Sequence, residues 1–373
     1  MKLYSTDVTS LINLNLNQRI ITNDNIQYRV FHYDKELLSY NNTRLRDYRH
    51  VTFTYPENNV ISFASPQTSS YSKFKQSNPN FNNLIVNEYI EGDNICLFYD
   101  YRICKWKLTT INSHNENSNN DTIVTRFISS LGYVDIAHIN DMMCINELYK
   151  NCCFLFVIKH NDATNISTSY LVSVYRMCNQ YVEFIPSSTY ENWDILKEYN
   201  GIICFPIRYD MNNYEDTERL LLSFTSETSG VMLTDSATGD TCKLLSFYYS
   251  TKTKLHNINS IVIFRYLCLR RINGVHKYLS QSTKDKNNFY RIRDVYEELI
   301  NMLYNAYMET YVRKNNLRLC EKYFTFIRKI HQDVYISSFA KQKKQCVTRK
   351  EVVNYFNSLH PKEVLSIMTG NEN

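Results

Sequence analysis

The chain has 373 residues, 43% hydrophobic and 21% charged, which is ordinary for a globular protein and enough for a large core. Its net charge of +5 is too small to announce a nucleic-acid binder by bulk charge. No stretch approaches the ~18 apolar residues of a membrane span, and the 11 cysteines include no C-x-x-C spacing for zinc.

The bias lies in 31 Tyr and abundant Asn against only 7 Gly and 6 Pro. An AT-rich genome writes such a chain, which fits a virus or an intracellular parasite. The odd cysteine count favours reduced thiols in a cytosolic compartment. Met1-Lys2-Leu3-Tyr4-Ser5 lacks the apolar region of a signal peptide.

In chain order, residues 1–50 read as a polar lead-in or accessory layer. Residues 51–275 form the main domain, with short β-branched and aromatic runs at 51–55, 94–99, 153–159, 170–175, 201–207, 231–233 and 261–269 that predict strands. The Asn-rich stretch 112–121 reads as a surface loop. Residues 276–373 are predicted to be a helical module. Apolar side chains recur at helical spacing over 292–312 and again over 323–335. Thr348, with Glu351 three residues on, is a capping box opening a third helix, which Pro361 ends or kinks. Residues 284–350 carry 15 Lys/Arg against 7 Asp/Glu, a surplus of +8 that leaves the remainder near −3.

Five segments carry a resemblance. Asn87-Glu88-Tyr89-Ile90-Glu91-Gly92-Asp93, running into an apolar strand, resembles the nucleophile segment of the RNA ligase and capping-enzyme superfamily, the covalent nucleotidyltransferases. Ser65-Pro66-Gln67-Thr68-Ser69 is similar to that family's lead-in. Cys153 to Asn161 resembles its ribose-binding strand. Ser229-Gly230-Val231-Met232-Leu233 and Cys242-Lys243-Leu244 resemble its last two pocket motifs. Further on, Arg265 to Arg271 is similar to a family strand, and Val352 to Pro361 to its closing helix. The series resembles divergent RNA ligase-like proteins of large cytoplasmic DNA viruses.

That resemblance implies an α+β fold, an antiparallel-sheet nucleotidyltransferase core with a C-terminal helical module. It also implies a degenerate pocket. Tyr89 stands at the nucleophilic lysine, Val157 at a ribose-binding glutamate and Ser229 at a metal-binding glutamate, while Glu91, Gly92 and Lys243 match. Tyrosine cannot form a lysine–nucleotide phosphoramidate, which needs a neutral amine; serine is a poor Mg²⁺ ligand.

The expectation is therefore a catalytically inactive RNA ligase-like protein, without catalytic residues, metal or cofactor, that binds RNA or a viral protein partner and no membrane. It would work in the host cytoplasm or virion. Arg270, Arg271, Lys314, Arg318, Lys322, Arg328 and Lys329 are candidate RNA contacts. The alternatives are a working ligase using ATP and Mg²⁺, with Lys73, Lys75 or Lys105 as displaced nucleophile and Asp93 or Asp235 on the metal, and a structural or virion-assembly subunit.

Overall fold

The computed structural model describes the chain apart from residues 1–2, 15, 24, 34–42, 112–118, 134–135, 162–163, 180, 200, 225–227, 282, 316–318, 320, 341–345 and 370–373. It divides into two compact units. The first comprises Met1–Asp210 and Met232–Lys243, the second Met211–Val231 and Leu244–Asn373.

Among the described residues the strands are β1 (Leu3–Ser5), β2 (Asn17–Asn23), β3 (Ile26–His32), β4 (Val51–Thr54), β5 (Val60–Phe63), β6 (Leu84–Glu88), β7 (Asp93–Asp100), β8 (Lys105–Thr110), β9 (Cys152–Asn161), β10 (Ile166–Cys178), β11 (Tyr181–Ile185), β12 (Arg208–Tyr209), β13 (Gly230–Asp235) and β14 (Thr241–Leu245). They form three sheets, ordered β1-β11-β10-β9-β7-β8, β12-β6-β13-β14 and β2-β3-β4-β5. The pairings with a defined register are antiparallel.

The six-stranded sheet explains the unbroken apolar runs that mark its central strands. A strand buried on both faces cannot alternate with polar residues. Ile95, Leu97, Phe154, Phe156 and Ile158 pack into one core with Phe127 and Ile128 of the helix Asn119–Ser130. Their neighbours Cys96, Phe98, Cys153 and Leu155 point to the other side, into a cluster with Tyr28 and Ile61 of the four-stranded β2–β5 sheet. Residues 3–32 therefore supply strands β1 to β3 of this unit. Aromatic side chains from Tyr4, Phe31, Phe53, Phe63, Tyr175 and Phe184 fill a further core there.

Two predicted strands are absent. Residues 201–207 run as a turn and irregular chain touching β10 through one bridge, Tyr170 to Cys204. Residues 261–269 lie in the helix Ser260–Arg271, against the strand that both propensity and resemblance implied. The Asn259 side chain caps it by accepting from the Ile261 amide at 2.8 Å. Ile263, Tyr266 and Leu267 fall on one buried face at helical spacing, and this packing outweighs the β preference of Ile261-Val262-Ile263. Of the loop expected at 112–121, residues 112–118 lie outside the described residues, and Asn119 already opens a helix.

The second unit is built on the predicted helices. Ile292, Val295, Tyr296, Leu299, Ile300 and Leu303 of Lys286–Tyr307 form the spine of its core, joined by Tyr323, Ile327, Ile330, Val352 and Phe356. Two helices widen into π-helical turns, Met308–Val312 and His331–Ile336. The Thr348 hydroxyl accepts from the Glu351 amide at 3.4 Å, the N-cap half of a capping box, and the Glu351 carboxylate accepts from that same hydroxyl. Pro361 begins a new helix, Pro361–Thr369, at the position where its missing N–H costs nothing. Just ahead, His360 Nδ1 accepts from the Lys362 amide at 3.2 Å, an end-of-helix role for that histidine.

Candidate functional site

The loop from Tyr89 to Gly92 joins β6 to β7 and hangs on one close approach. A Cβ at Gly92 would lie 2.1 Å from the Ile158 carbonyl oxygen, so only glycine lets the loop settle against β9. There β7 and β9 pair Asp93 with Ile158 and Asn94 with Val157. Val157 thus sits beside the loop on the sheet face it shares with Leu155.

Tyr89 opens this loop. Its hydroxyl donates to the Glu91 carboxylate, and the Lys243 ammonium, carried on β14, sits 5.3 Å from its ring centroid. Cation–π contact of this kind is attractive, since the ring face is negative. Among the described residues the Lys243 amine has no carboxylate partner.

The segment Ser65–Ser69 follows β5 and supplies further wall residues. The Gln67 amide donates to the Arg46 carbonyl at 2.9 Å and the Ser69 amide to the Thr241 carbonyl at 2.8 Å. Ser65 Oγ donates to Ser173 Oγ at 3.0 Å and accepts from Tyr175 Oη at 3.0 Å. Burial pushes the Tyr175 and Tyr190 phenols far above their ordinary value, which keeps both as protonated donors.

These pieces enclose one cavity of about 410 Å³. Residues 65–68, Tyr89, Glu91, Gly92, Val157 and Lys243 all line it, so four of the five segments singled out in the sequence converge. The remaining segment is represented by Met232 on β13. Ser229 itself belongs to the second unit, where its carbonyl accepts from the Ser246 amide at 2.8 Å.

Sequence reasoning missed Tyr33, Arg49, Asn87 and Glu88, which line the same cavity. No motif marks Tyr33 or Arg49, and only the fold brings them here. Asn87 and Glu88 stood inside a segment already singled out. The side-chain oxygen of Asn87 is buried without a hydrogen-bond partner, leaving an acceptor in the wall. The cavity therefore offers two cations, Arg49 and Lys243, two carboxylates, Glu88 and Glu91, and aromatic walls.

The displaced-nucleophile candidates stand elsewhere. Lys73 lines a second cavity, the Lys75 ammonium lies 5.6 Å from the Tyr71 ring centroid, and Lys105 is exposed at the start of β8. Asp93 pairs with Arg126 at 3.4 Å. Asp235 holds its own turn through the Ala237 amide at 2.9 Å and Thr238 Oγ1 at 2.8 Å. Among the described residues no group of three or more His, Cys, Asp or Glu is placed to hold a metal ion.

The candidate RNA contacts of the second unit are unequal. The Arg270 guanidinium lies 3.9 Å from the Tyr296 ring centroid and donates to Glu297 at 3.2 Å, a packing role inside the unit. Arg271, Lys314, Arg328 and Lys329 are exposed, with the Lys329 ammonium 5.5 Å from the Phe326 ring centroid. Arg318 and the Lys322 side chain lie outside the described residues.

No protein-family model matches this chain, and no curated protein matches its sequence. Solved structures to which it is similar include ligases. It is similar to an archaeal ATP-dependent RNA ligase at 10% identity, over 82% of this chain and 79% of the other, with a TM-score of 0.45. A protein assigned as an ATP-dependent DNA ligase from Aquifex aeolicus is similar at 11% identity, over 88% and 87%, with a TM-score of 0.45. A Naegleria gruberi RNA ligase, solved with pyrophosphate, is similar at 12% identity over 50% and 57%, with a TM-score of 0.35.

Proposed function

We propose that the chain is a non-covalent RNA-end-binding protein that has lost, or never had, the lysine chemistry of the ligases. One observation carries this reading. The Tyr89–Gly92 loop in the cavity wall presents Tyr89, tied to Glu91, and the one lysine lining the cavity among the described residues, Lys243, lies on the face of that tyrosine.

A covalent nucleotidyltransferase needs an amine aimed at an α-phosphate at about 3–3.5 Å. Here a phenol takes that place and the amine comes from another strand. What remains is suited to holding a ligand. Lys243 and Arg49 supply charge for a phosphate, Asn87 an acceptor, and Tyr33, Tyr190 and Phe184 apolar surface for a base or ribose. The setting we propose is the host cytoplasm or virion of a large DNA virus, on composition and motif resemblance. Among the described residues no helix is long and apolar enough to cross a membrane.

The test has two arms. Incubation with α-labelled ATP or GTP and Mg²⁺ or Mn²⁺, then denaturing gel, is expected to leave the protein unlabelled. Fluorescence anisotropy with a 5′-phosphorylated oligoribonucleotide is expected to show salt-dependent binding that Lys243→Ala weakens. A covalent label restores the enzyme reading. Binding that ignores both salt and Lys243 refutes the pocket as the RNA site.

A further inference from the structure

A second cavity, of about 290 Å³, adjoins the first. The two share Pro66, Gln67 and Thr241 as lining residues. The partition is a thin rib in which segment 66–69 runs beside β14, tied by the Ser69 amide to the Thr241 carbonyl and by a parallel bridge from Ser69 to Cys242. Its crest is polar, since Gln67 is exposed and Thr241 half-buried.

The second cavity has a composition of its own. Arg46 and Lys73 line it, and among the described residues neither side chain has a hydrogen bond or ion pair. Gln67, Ser69, Ser77 and Asn78 add amide and hydroxyl groups. Asp47 and Asp240 also stand there, and both bear on the buried Tyr4 hydroxyl, whose ionisation they oppose together with burial. Two cations and two carboxylates in one lining balance in charge, so the cavity suits a single phosphodiester rather than a denser anion.

We infer that the two cavities form one track for an RNA strand, with the terminal nucleotide in the first and the phosphodiester and ribose of the next nucleotide in the second, held by Arg46 and Lys73. The inference rests on the RNA-end reading above and extends it. The ligand is a strand of two or more nucleotides rather than a free mononucleotide. The strand crosses the rib at Gln67 and Thr241, where polar side chains meet sugar and phosphate. Specificity for chain length then comes from the second cavity, and the Lys243 charge over the Tyr89 ring serves the terminal residue alone.

Equilibrium binding of AMP, 5′-phosphorylated ApA and 5′-phosphorylated tetra-adenylate to the full chain tests this, with wild type and an Arg46→Gln/Lys73→Gln double variant compared. Thermal melting establishes that the variant is folded. In wild type the step from AMP to the dinucleotide is expected to tighten binding about tenfold, the change made by 1.4 kcal/mol. In the double variant that step disappears while AMP affinity stays as in wild type. The salt slope for the tetranucleotide drops by about 0.7, the single-strand value for one phosphate. A dinucleotide that binds no better than AMP, or a gain that survives in the double variant, overturns the track while leaving the terminal pocket in place. Absence of binding by all three probes overturns the RNA-end reading and the track together.

Discussion

Gly92→Ala probes the contact that seats the Tyr89 loop. The added methyl would lie 2.1 Å from the Ile158 carbonyl oxygen and 2.8 Å from its carbon. Both are backbone atoms of β9 and cannot swing aside. Ordinary contact begins more than an ångström farther out, so either the loop lifts or the strand bends. The first ladder rungs, Asp93 to Ile158 and Asn94 to Val157, are the ones that open. Overpacking of this type costs about 1–3 kcal/mol. With a urea m-value of about 1–3 kcal/mol per molar, the midpoint should fall on the order of 1 M. Trp106 and Trp193 are the chain's 2 tryptophans and both belong to the first unit, so their fluorescence reports on it. The RNA affinity of the folded variant should fall as well, because Tyr89 and Glu91 ride on the displaced loop. Gly274→Ala meets only side-chain atoms, the nearest at 3.3 Å, and should leave this signal unchanged. A Gly92→Ala protein with the wild-type midpoint and affinity would refute the close approach of loop and strand.

Two further perturbations test the frame around the pocket. Arg102→Ala strips the fully buried Asp100 of the guanidinium that donates to it at 2.9 and 3.2 Å, while Tyr28 Oη at 2.9 Å and the backbone amide of residue 102 remain. The expected loss is about 3 kcal/mol, the low end for breaking a buried pair, read by the same urea titration; a loss below about 1 kcal/mol would mean that solvent already screens the pair. His50 is buried, and desolvation first, then the charge of Arg19, push its ring down to about 3 from an ordinary 6.5. Its folded value lies below the unfolded one, so its contribution is complete above pH 6.5 and erodes as the pH falls from there towards 3. Thermal melting of the first unit should drop across that window, and His50→Phe should flatten the slope; an equal slope in the variant assigns the titration to another group.

Much of this architecture was legible in the chain because period and burial coincide. The apolar run from Cys153 to Ile158 marks a strand covered on both faces, and the spacing from Ile292 to Leu303 marks the spine of the helical unit. The helix at Ser260–Arg271 was not legible, because three consecutive β-branched or aliphatic residues carry a local preference that only the packing of Ile263, Tyr266 and Leu267 overrides. The pocket was half legible. Tyr89, Glu91, Gly92 and Lys243 sit at motif spacing, whereas Tyr33 and Arg49 reach the cavity from a polar, unpatterned stretch. Arg270 was a candidate RNA contact by its place in a basic pair, a pattern that says nothing of the Tyr296 ring and Glu297 that meet its guanidinium.

The pairing of Tyr89 with Lys243 separates binding from reaction in physical terms. A nucleophile must be held at attacking distance and must give up a proton, and the rigidity for that would come from the loop that Gly92 seats against β9. In this chain that loop carries a phenol whose hydroxyl is committed to Glu91. The ammonium stands instead on β14, above the ring, as a compact charge on a long stem. On the reading proposed above, such a group draws in a phosphate by its charge, from a strand other than the loop that would hold a nucleophile. Replacing Tyr89 by Phe removes the tie to Glu91 but keeps the ring beneath Lys243. The pocket should then still bind, and the loss on Lys243→Ala should persist in that background.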